Sequence, residues 1–82
     1  MNDTLKVTTT QPFYTYEKVP LFSVNAGVPV DDAQEVATNL MLYVERLAAV
    51  DAFTDKVVET AVIQHLSEMA RALMLACRQA AA

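Results

Sequence analysis

His65 and Glu68 stand three residues apart, a spacing that puts an imidazole and a carboxylate on the same side of a helix. Helical bundles use such pairs to hold metal ions when further Glu residues face them from neighbouring helices. Here the first helical segment offers no carboxylate opposite the pair, and the chain has a single His. A twofold partner would double the set to two His and two Glu, but one His–Glu pair is a weak metal signal. His65 is therefore read as a partly buried side chain with one hydrogen-bond partner or as a histidine on the helix surface, and no metal or cofactor is expected. Cys77, the one thiol, would need a base within hydrogen-bonding reach to act as a nucleophile. His65 lies 12 positions earlier, about 18 Å away along one helix. Packing is the simpler role for Cys77. Ser23 and Ser67 lack the strand–turn–helix setting of a nucleophilic serine. Asp31 and Asp32 point about 100° apart on a helix and suit its positive N-terminal end without any chemistry. No catalytic constellation results, so the chain is expected not to be an enzyme.

The polar aromatics point to recognition instead. Tyr14, Tyr16 and Tyr43, with His65, form a candidate recognition surface, since such residues are enriched where proteins meet partners. They serve equally as a lid over a helical core. Met41, Met69 and Met74 can fill gaps in a core or line an adaptable groove.

Composition narrows the partners. The chain has 82 residues, 54% of them apolar and 20% charged, too apolar for a disordered polymer. One Gly rules out Gly-rich phosphate loops, and one Cys a disulfide scaffold. The net charge of −4 is uneven. Residues 1–30 are neutral, residues 31–59 carry −5, and residues 60–82 carry +1. No basic stripe exists to neutralise phosphates, so nucleic acid is not an expected partner. The longest strongly apolar run, Met69 to Cys77, is interrupted by Arg71 and far too short to span a bilayer. No leader is visible, and a lone Cys fits a reducing compartment. A cytoplasmic location is expected, with no membrane association.

The elements that must position these residues divide the chain in two. Residues 1–28 read as an extended arm with a short strand over Leu21–Val24, Phe22 and Val24 on one face, and a turn at Asn25–Gly27. A further short strand over Leu5–Thr9 suits the Val and Thr content. Residues 29–82 read as a helical hairpin, because no Gly or Pro occurs from Val30 to Ala82. Pro29 starts the first helix, with Asp31 and Gln34 as a capping box. The apolar stripe Ala33, Val36/Ala37, Leu40, Val44, Leu47 has helical spacing, as does Val62, Leu66, Met69, Leu73, Ala76, Ala80. The two stripes are out of phase, which requires a break near residues 51–55 with Thr54 or Asp55 as the second cap. Helices are thus expected over residues 30–50 and 55–79, antiparallel, with Arg78 returning to Asp31 and Glu35.

A two-helix hairpin cannot hide all of this apolar surface. Ile63, Leu66, Ala70, Met74 and Cys77, with Met41 of the first helix, are the expected interface with a second copy, giving a dimeric four-helix bundle. The fold class is mainly α. The function expected is that of a non-enzymatic dimeric interaction protein, an adaptor or regulator of another protein. The alternative is a small-molecule-binding bundle with a pocket lined by Met and Tyr.

The stretch Pro20–Ala33 has a Phe-x-Val strand, a Gly-Val turn and an acidic helix start followed by Ala. Further on comes His65-Leu66-Ser67-Glu68-Met69-Ala70. Together these features resemble a family of small bacterial proteins, found chiefly in pseudomonads, that form a domain of unknown function. The resemblance spans about residues 20–78. It implies the two-helix outline and lends no activity and no functional residue.

Overall fold

The computed structural model describes residues 6–51 and 53–78. Two strands, β1 (Gln11–Tyr16) and β2 (Val19–Val24), precede two helices, α1 (Val30–Ala49) and α2 (Lys56–Arg78). β1 and β2 pair antiparallel, with Phe13 opposite Phe22 and Tyr16 opposite Val19. The connecting residues Glu17 and Lys18 both have positive φ, 51° and 70°. That left-handed pair matches the right-handed twist of the strands it joins. The expected strand at Leu21–Val24 is thus the last four of the six residues of β2, and its partner β1 adds an element. Of the strand expected over Leu5–Thr9, one bridge remains, Val7 to Pro29, while Leu5 lies outside the described residues.

The arm before β1 is tied down by hydrogen bonds. Thr8 donates its N–H to Val28 O (2.8 Å) and accepts from Gly27 N–H (3.0 Å). Its hydroxyl donates to Asn25 O (2.7 Å) and accepts from Val28 N–H (3.1 Å). Gly27 holds φ +91°, as the turn requires. Lys6 O accepts from Val30 N–H (3.0 Å), one of the donors that a helix start leaves free. At the same end of the hairpin, Thr9 donates from its N–H (3.2 Å) and hydroxyl (3.3 Å) to Ala76 O in the last turn of α2. The arm therefore closes the start of α1 and the end of α2 together.

α1 begins at Pro29, whose carbonyl accepts from Asp32 N–H (3.0 Å) and Ala33 N–H (3.1 Å). No side chain caps this end. The Asp31–Gln34 capping box is not formed, because Asp31 is already inside the helix and Lys6 supplies an acceptor instead. α2 is capped as expected at Asp55, whose carboxylate accepts from Val57 N–H (3.0 Å) and Val58 N–H (3.2 Å). The helices run antiparallel, with the Cys77 thiol 3.9 Å from Val30 O. The ion pair expected between Arg78 and Asp31 or Glu35 is not formed among the described residues, where Lys56 alone makes ion pairs, to Asp51 and Glu59.

Ala33, Ala37 and Leu40 of α1 and Ala70, Ala72 and Ala76 of α2 are the buried apolar residues among those described. Counting back from the Cys77–Val30 contact puts Ala37 level with Ala70. Small side chains there bring the helices close but bury little area. The strands pack on α2 and do not touch α1. The order α1, α2, strand pair makes a single layer, 53 × 32 × 13 Å in Cα extent. Stable domains usually stack two layers over one core. The radius of gyration is 14.9 Å, against about 12 Å for a compact domain of this length.

Candidate functional site

The strand pair brings two of the residues singled out in the sequence to the same place. Tyr14 of β1 donates its hydroxyl to His65 Nδ1 of α2 at 2.5 Å, the rings edge to face at 5.2 Å. Around them Phe13 stacks on Phe22 (5.7 Å), and Tyr14 meets Phe22 edge-on (6.1 Å). Tyr14 has φ +54°, unlike its strand neighbours. An L-residue there stores on the order of 1–3 kcal/mol of backbone strain. Pairing resumes in the same register at Thr15, so the kink is confined to Tyr14.

Glu68 lies one turn beyond His65 and bounds a hollow of about 160 Å³ with Phe13, Tyr14, Arg71, Ala72 and Leu75. Loss of water around the Tyr14 phenol, and then the nearby charge of Glu68, raise its pKa above the ordinary tyrosine value. In this contact the hydroxyl is the donor where Nδ1 carries no hydrogen. A Tyr–His pair of this kind can latch the strands to α2. Cys77 lies at the C-terminal end of α2, 12 residues beyond His65, and burial pushes its thiol pKa up, away from the reactive thiolate. Among the described residues, no cluster of three or more His, Cys, Asp and Glu is placed to hold a metal.

The remaining aromatics separate. Tyr16 is exposed at the tip of the strand pair, and Tyr43 is exposed on α1, which the strands do not reach. Ala70 has no accessible surface within the single chain, while Ile63, Leu66 and Cys77 are half-buried. Met41 and Met74 are exposed, Met74 by 52%. They meet in a second feature, a groove on one side of the helical layer. One part, about 550 Å³, is lined by Gln34, Ala37, Thr38, Met41, Leu42, Glu45 and Met74. The other, about 420 Å³, adds Ser67, Arg71, Leu75 and Arg78. No tyrosine lines the groove. The sequence pointed to its two methionines but not to Glu45 or Arg71, whose places on its two rims depend on how α1 and α2 face each other.

No helix among the described residues is long and apolar enough to cross a membrane. The model of a protein family described as a protein of unknown function, DUF3077, matches residues 8–78. That reaches further toward the N-terminus than the stretch carrying the resemblance, and takes in Thr8, Thr9 and β1. No curated protein and no solved structure matches.

Proposed function

Because the chain belongs to the DUF3077 family, whose description names no activity, we propose its role from its surface: a non-enzymatic interaction protein that works as a homodimer. Two helical hairpins stack into a four-helix bundle, and the aromatic strand pair is left to meet another protein as an adaptor or regulator. The observation that carries this reading is the single layer with a core of alanines. Met41, Leu42, Met69 and Met74 remain exposed on helices that bury nothing larger than Leu40. A second layer made by another copy supplies the missing cover. Exposed Tyr16 and Phe22, beside the Tyr14–His65 latch, suit a contact with a further protein.

Sedimentation equilibrium at micromolar concentration tests the reading. The expected species has twice the 9.0 kDa chain mass, and a lone 9.0 kDa species refutes the homodimer.

A further inference from the structure

We infer that the second copy docks on the face holding Met41 and Met74, about a twofold axis parallel to the helices, so that α1 of each copy lies antiparallel against α2 of its partner. The inference rests on the homodimer reading and adds to it a face and an orientation.

The face is selected by its charges. Asp31, Thr38 and Glu45 repeat every seven residues along α1, and of these Thr38 and Glu45 line the groove on its α1 side. Gln64, Arg71 and Arg78 repeat in the same way along α2, and of these Arg71 and Arg78 line the groove. The α1 side of the groove carries Glu45 and no cation, the α2 side carries Arg71 and Arg78 and no acid, and Met41 and Met74 lie between them. Among the described residues, Asp31, Glu45, Arg71 and Arg78 have no ion-pair partner within the chain. The opposite face, with Val36, Tyr43 and Met69, has no such opposed stripes.

The orientation follows from symmetry. Two copies face to face are related by an axis lying in their interface. If that axis crosses the helices, α1 lies on the partner's α1, acid on acid and Arg on Arg. If it runs along the helices, each acidic rim lies on a basic one and every neighbouring helix is antiparallel. The levels also match. The Cys77–Val30 contact sets Arg78 within about 3 Å of the height of Asp31 at 1.5 Å per residue, an opposite-charge pair, while Arg71 comes level with Thr38 and Gln64 with Glu45, charge against neutral polar. Exposed charges of this kind fix register and orientation more than affinity. The affinity comes from the methionines and Leu42 closing over one another.

Single cysteines on a Cys77→Ala background test this, with circular dichroism showing that the helices persist. Chains carrying Thr38→Cys, mixed with chains carrying Ser67→Cys, are expected to form an interchain disulfide under mild oxidation. Neither variant alone is expected to do so, since like positions lie on opposite rims. Met74→Glu is expected to weaken dimerisation at least about tenfold by burying a charge. A Thr38–Thr38 disulfide overturns the orientation. A dimer insensitive to Met74→Glu that crosslinks through Tyr43→Cys overturns the face. Both outcomes leave the homodimer standing, whereas a monomer in sedimentation removes the homodimer and this geometry together.

Discussion

The arm at residues 6–9 and the strand pair that follows it are held in opposite ways. The arm is polar, yet Thr8 is only 2% exposed. The strand pair is rich in large apolar residues, yet Leu21 is 60% and Phe22 54% exposed. Hydropathy alone assigns these two segments the wrong way round. Burial here follows hydrogen bonding. Thr8 is enclosed because its N–H, carbonyl and hydroxyl all find partners in residues 25–28, and a satisfied polar group carries little penalty. The strand pair has α2 on one side and nothing on the other, so much of its apolar surface faces outward.

The comparison can be broken most directly at Thr8. Thr8→Val keeps the shape but leaves Val28 N–H and Asn25 O without the hydroxyl, and a loss of about 2 kcal/mol in urea unfolding is expected. A loss under about 0.5 kcal/mol, within the range of ordinary surface substitutions, would mean that hydrogen bonding does not hold the arm. Gly27→Ala probes the same clasp through the backbone. Nothing lies within 4 Å of the added Cβ, so only the positive φ opposes it, at about 1 kcal/mol. Leu21→Ser should move the midpoint least, by under about 0.5 kcal/mol. A loss above about 1 kcal/mol, measured at the same chain concentration, would show that Leu21 is covered in solution.

The helical half was legible in the sequence for a physical reason. Helical hydrogen bonds are local, so the absence of Gly and Pro after Val30, the phase slip between the stripes and the cap at Asp55 all register along the chain. β1 left a weaker trace. The turn residues Glu17 and Lys18 adopt positive φ without the Asn-Gly or Asp-Gly signature of such turns. Pro12 and Pro20, which cannot donate to a ladder, are accommodated in a two-stranded sheet where each strand has a free edge. The capping box failed because Lys6, distant in sequence, supplied the acceptor at that helix start. In the candidate site, Tyr14 and His65 were each recognisable by type. Their pairing spans 51 residues and depends on the kink at Tyr14, which no spacing rule encodes.

The link from Thr9 to Ala76 joins residues 67 apart in the chain. Closing so long a loop costs entropy that no local bond repays in advance. The helices and the strand pair, each built from near neighbours, can therefore assemble before the N-terminal third settles against the end of α2. The seam between them is expected to form late in folding and to open early.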